Sequence, residues 1–179
     1  MRNNALYNPF YQVAGFKSLV IGSLVFLIVT SVAFKTGTHF NGLLNFDLAK
    51  DSGYLVFAAE HAINWLFTSL FMYISGLILS KSRIRLIDIA GTVLLARIPL
   101  IIMPLIRLLP VFQSFFAQSW QIYLLMGIYL FSLIWSLALL FNAFKISCNL
   151  KGERLIISFI LSMILSEICT KTVISMIIY

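Results

Sequence analysis

Acidic side chains are scarce in this chain: six Asp and Glu stand against thirteen Lys and Arg in 179 residues, and charged residues make up only 11 %. Soluble domains carry about a quarter of their residues as charges, so an ordinary water-facing surface is excluded. Cysteine is equally thin. Cys148 and Cys169 stand in no CxxC or ligand-spaced pair, which removes a disulfide framework. The two histidines, His39 and His61, have no second histidine or nucleophile in ligand or catalytic spacing. HExxH, GxSxG, phosphate-binding glycine loops and paired carboxylates are all missing. These absences argue against an enzyme and against a bound metal or cofactor. Net charge is +7 and the pI near 9.7, yet the basic residues form no face interleaved with aromatics, so nucleic acid is not implied. No polar stretch is long enough for a separate soluble domain, and 1–179 reads as one domain.

What is there is apolar: 61 % of residues are hydrophobic and the mean hydropathy is +1.00. A bilayer core of about 30 Å needs roughly 20 apolar residues per helix. Five runs meet that length, at 18–34, 54–79, 86–109, 122–144 and 155–178. They are apolar on all sides rather than alternating, which excludes barrel strands, and a lone helix can satisfy its own backbone in lipid. The expected fold class is all-α, a polytopic membrane helix bundle with five transmembrane helices. Asn8 as N-cap and Pro9 at the first helical position suggest a short interfacial helix before the first run, with an irregular aromatic lead-in as the alternative. Ser31 and Ala33 resemble a small-x-small cleavage site, but the long and weakly basic segment before the run argues for a retained helix.

The basic residues cluster at one set of helix ends. Arg2 and Lys17, then Lys81, Arg83 and Arg85, then Lys145, Lys151 and Arg154 alternate with ends that carry only Lys35, Lys50 and Arg107. The positive-inside rule therefore puts the amino terminus in the cytoplasm and, after five crossings, the carboxyl terminus outside, in a bacterial cytoplasmic membrane. The longest connection, KTGTHFNGLLNFDLAKDSG, becomes an outer loop. Its Phe40, Leu43, Leu44 and Leu48 recur at helical spacing, which suggests that part of it rests on the outer lipid interface.

Six ionisable residues fall inside the apolar runs: Glu60, His61, Arg97, Arg107, Glu167 and Lys171. Each costs roughly 2.5 to 3.5 kcal/mol at a helix centre unless it faces the bundle. At about 1.5 Å per residue, Arg97 and Glu167 come near the midplane, and the other four form an outer polar layer. The expected pairs are Arg97 with Glu167, and Glu60 with Lys171 or Arg107. His61, beside Asn64 and Thr68, reads as a hydrogen-bonded core histidine. Glu167 and Lys171, four apart, can also neutralise each other along one helix. Ser158, Ser162, Ser166 and Thr170 form a small-residue seam suited to close helix packing, with a homo-oligomer left open. Pro99 and Pro104 must break or bend the third helix.

The stretch ISGLILSKSRIRLIDIAGTVLLARIPLIIMPLI resembles the central region of bacterial YIP-family proteins, relatives of the Rab-GTPase-interacting five-span membrane proteins. The NPF near residue 8, the basic turn before Asp88, Gly91 and Pro99, and the KISCNLKGERL turn add to the resemblance. It implies a non-enzymatic, membrane-organising or partner-recruiting role, without a cofactor. The contacts implied are the lipid bilayer and another membrane or cytoplasmic protein, met through Lys81, Arg83 and Arg85. The alternative is a small transporter or channel using Arg97 and Glu167 at the midplane.

Overall fold

The computed structural model describes residues 10, 13, 15–48, 52–80, 82–112 and 119–177. The element order is α1 (Phe16–Thr36), two short antiparallel strands β1 (Thr38–His39) and β2 (Asp47–Leu48), α2 (Tyr54–Leu79), α3 (Leu86–Ala96), a 3₁₀ turn (Ile98–Ile101), α4 (Ile102–Ile106), a second 3₁₀ turn (Pro110–Phe112), α5 (Ser119–Cys148) and α6 (Gly152–Ile177). Five helical spans are long and apolar enough to cross a membrane, with α3 through α4 forming the third. The chain is an integral membrane helix bundle. The proposed interfacial helix falls mainly on residues outside those described. Phe10, which is described, is 1 % exposed and packs into the core.

The third run is not one helix. Pro99 and Pro104 supply no backbone donor, and the α-helix that starts at Leu86 gives way at Arg97 to the 3₁₀ turn. Arg97 O accepts from Leu100 N at 3.0 Å, so the carbonyl of Ala96 needs another donor. Ser136 of α5 supplies it, its hydroxyl lying 2.9 Å from Ala96 O. In lipid an unsatisfied carbonyl is costly, and a serine on a neighbouring helix is a direct remedy.

The third span is also the central one. About 72 % of its most apolar window is buried, against 22–28 % for the other four. It packs closely on α1, where Gly91 leaves no room for a side chain: a Cβ there would meet Ser18 and the backbone beyond it. Trp65 of α2 ties in by donating from Nε1 to Ala90 O at 2.9 Å. The largest apolar cluster, which includes Met72, Ile89, Val93, Leu140 and Phe144, occupies the half nearest the α2–α3 turn. A smaller one, of Val29, Ala33, Phe40, Phe57 and Leu100, sits at the β1–β2 end.

Burial is inverted relative to a water-soluble bundle. On α6 the aliphatic Ile156, Ile160, Ile164 and Ile168 are exposed, while Ser158, Ser162, Ser166 and Thr170 are buried. That seam faces α2: Ser166 and Thr68 hydroxyls are 3.0 Å apart, and those of Ser162 and Ser75 are 2.7 Å apart. The small-residue seam is thus used within the chain to bring two backbones close.

The β1–β2 segment divides the residues of its apolar spacing between two faces: Leu44 is exposed, but Phe40 and Leu43 turn inward. Phe40 and Leu43 are 2 % and 4 % exposed, and both point into the bundle. Spacing alone does not distinguish a segment facing lipid from one facing a membrane-protein core, because both environments are apolar.

Candidate functional site

The segment from Thr36 to Leu44 folds back between the helices and is held there by side chains of α2, α5 and α6. Glu60 and Asn64, one helical turn apart on α2, grip both polar groups of one peptide residue. Phe40 N donates to Glu60 Oε2 at 3.0 Å, and Asn64 Nδ2 donates to Phe40 O at 2.7 Å. Glu60 Oε1 lies 2.9 Å from Nδ1 of His39, and both side chains are fully buried. His39 in turn stacks on Phe57 with ring centroids 4.0 Å apart. On α6, Glu167 Oε2 accepts from Leu43 N at 2.6 Å and Leu44 N at 3.0 Å. Tyr129 of α5 closes the ring of ties by donating its hydroxyl to Leu44 O at 2.6 Å.

Two sequence details make this geometry attainable. Gly37 ends α1 in the left-handed region, at φ 63°, which turns the chain inward. At Gly42 a Cβ would sit 2.6 Å from Glu167 Oε1, so only glycine lets the carboxylate reach the backbone beyond it. Arg107 completes the α1 terminus, donating from Nε and Nη2 to Thr36 O at 3.2 and 3.1 Å. A cation on the carbonyl end of a helix complements its dipole. The loop carries a further tie within itself between Asn41 and Asp47.

The expected ion pairs are therefore corrected. Glu167 makes its direct ion pair with Lys171, Nζ to Oε1 3.1 Å, spends its other oxygen on the loop backbone, and acts on Arg97 only at longer range. Glu60 meets His39 and the Phe40 amide rather than Lys171. Arg107 serves the end of α1. Backbone N–H and C=O groups turned into an apolar interior need partners as much as side-chain charges do, and here they engage Glu60, Glu167 and Arg107.

Arg97 is the exception. It is 8 % exposed, and neither Nη1 nor Nη2 has a hydrogen-bond partner among the described residues. His61, 5 % exposed, likewise has an unbonded Nε2. Both residues line one small cavity between α1, α2 and the third span, with Trp65, Val29 and Leu100 among its walls. Phe40 of the clamped loop packs on His61 at 4.7 Å between ring centroids, so loop and cavity share a wall.

No protein family, curated protein or solved structure matches this chain. Its site has to be judged on its own geometry. Among the described residues no three His, Cys, Asp or Glu side chains gather as a metal-binding group. At the other end of the bundle, Arg83 and Arg85 are exposed in the α2–α3 turn. Lys81 lies outside the described residues. The α2–α3 and α5–α6 turns jointly border a surface hollow of about 340 Å³ lined by Ser80, Ser82, Asn149, Lys151 and Arg154.

Sequence reasoning missed His39, Asn64, Gly42 and Tyr129. The available signal was the sequence THFNGLL itself, in which aromatic and aliphatic residues interrupt an otherwise polar connection. Glu60 and Asn64 at i, i+4 on one helix face were the matching half.

Proposed function

We propose that this chain is a YIP-like, non-enzymatic membrane protein that organises the membrane or recruits a partner at its basic end. The supporting observation is the distribution of free charge. At the end bearing the α2–α3 and α5–α6 turns, Lys17, Arg83, Arg85, Lys145, Lys151 and Arg154 are all exposed. By the positive-inside rule this end faces the cytoplasm, with the amino terminus inside and the carboxyl terminus outside a bacterial cytoplasmic membrane. The carboxylates of the opposite half are taken up by holding a loop, which suits a scaffold better than a pathway. The partner that fits is a membrane or cytoplasmic protein presenting an acidic surface. Crosslinking from positions 83 and 85 in native membranes tests it: one reproducible partner, lost in the Arg83→Glu, Arg85→Glu double variant, is the expected result. No reproducible partner rejects the reading.

A second reading, a small transporter or channel using Arg97 and Glu167, has one observation in its favour, the guanidinium nitrogens without hydrogen bonds among the described residues, which line a half-open crevice. It requires Glu167 to release the Leu43 and Leu44 amides. Flux into reconstituted liposomes that disappears on neutralising both residues supports it, and absence of flux, protons included, rejects it.

A further inference from the structure

From the cavity at Arg97 and His61 we infer a built binding site for one small, weakly hydrated monovalent anion of the halide class. Three observations converge on it. The first is charge balance. Arg97 places a cation within the third span, about 11 residues from its start and so roughly 16 Å along the helix axis. Glu167 lies within electrostatic reach of Arg97 but spends its oxygens on Lys171 and two loop amides, and among the described residues no hydrogen bond reaches the terminal guanidinium nitrogens. A buried guanidinium with no hydrogen bond at its two terminal nitrogens is costly in an apolar interior, and an anion on them is a direct remedy.

The second is donor chemistry. The two terminal guanidinium nitrogens of Arg97 and Nε2 of His61 have no partner among the described residues. Arginine has no acceptor, and a neutral imidazole can present N–H from Nε2, so the set can be made wholly of donors. Trp65 Nε1 is already committed to Ala90 O and is not part of it. A donor-only constellation selects an acceptor-only guest.

The third is size and wall polarity. The cavity holds about 20 Å³. A single water requires roughly 10–15 Å³ on the same scale, so the space beside the donors of this half-open crevice matches one monatomic ion. The rest of the wall is aliphatic and aromatic, including Val25, Phe26, Val29, Leu94 and Leu100. Such a wall disfavours strongly hydrated or doubly charged anions, which keep their water, over chloride or bromide. The site does not depend on either reading of the protein's role.

Trp65 lines the same cavity and reports on it, because bromide quenches indole fluorescence on contact. The purified full-length protein, exchanged into gluconate and titrated with bromide at constant ionic strength, gives the test. The expected result is a saturable quench that is absent in Trp65→Phe, with an unfolding midpoint raised by roughly 3 °C at saturation. Arg97→Gln removes both effects, and His61→Ala weakens binding roughly tenfold. Should Arg97→Gln fail to fold, the His61→Ala comparison and the wild-type titration still decide. A quench that rises without saturating, equal stability in bromide and gluconate, or saturable binding retained in Arg97→Gln overturns the assignment.

Discussion

Two polar regions of this bundle lie beside each other and are built on opposite terms. Around Glu60 and Glu167, carboxylates meet backbone amides that a folded-back loop brings to them, and the Phe40 peptide is answered on both its N–H and its C=O. Around Arg97, a guanidinium lies against a largely apolar cavity with neither terminal nitrogen hydrogen-bonded among the described residues. The carboxylates hold the fold together; the arginine is a cost that the fold carries. An ionisable residue in lipid is therefore not one kind of feature, and what its neighbours already use decides which kind it is.

The sharpest way to break this contrast is Glu60→Leu. It strands the Phe40 N–H and His39 Nδ1 in a buried site, and a loss of about 3 kcal/mol is expected in equilibrium unfolding from detergent micelles. Gly42→Ala comes next. Its Cβ would stand 2.6 Å from Glu167 Oε1 and 3.1 Å from Lys171 Cε, so the carboxylate must retreat from the loop amides at a cost of about 1–2 kcal/mol. The same variant should expose the 38–48 segment to protease. Arg97→Gln tests the other half of the contrast, and its sign is the point: in halide-free buffer, stability stays level or rises by up to about 1 kcal/mol, since a buried charge has been removed. A loss as large as that of Glu60→Leu would show that Arg97 is a structural tie after all. Smallest of all is Lys171→Ala. The Lys171 side chain is 51 % exposed and its pair with Glu167 is an i, i+4 bridge, so less than about 0.5 kcal/mol is expected.

The spans were readable because run length and hydropathy follow directly from bilayer thickness, and the break in the third because a proline cannot donate. The expected boundaries of 18–34 and 122–144 fall inside the helices Phe16–Thr36 and Ser119–Cys148. Polar and small residues at helix ends, such as Lys17, Thr36 and Lys145, hide the last turn from a count of apolar residues. The site was legible in its inventory and not in its wiring. Glu60, His61, Arg97, Arg107, Glu167 and Lys171 are conspicuous as charges in apolar runs, but the partners of Glu167 are the amides of Leu43 and Leu44, 124 and 123 residues away. Every residue has an amide, so no sequence pattern marks the two that are used. His39 is silent for the same reason: a lone histidine in a loop carries no sign that the loop turns inward.

The broken third span has a consequence for how the protein is made. Spans emerge from the ribosome in order, so the third reaches the bilayer with only α1 and α2 beside it. At that moment Ala96 O lacks the Ser136 hydroxyl that will later satisfy it, and the flank that α5 covers faces lipid. The span most enclosed by its neighbours in the finished bundle thus arrives before its cover, which makes its release into the bilayer a waiting step timed by the synthesis of α5. Lengthening the chain within 113–118 should lengthen that wait and lower the yield of inserted protein while leaving the Arg107 tie to Thr36 O in place.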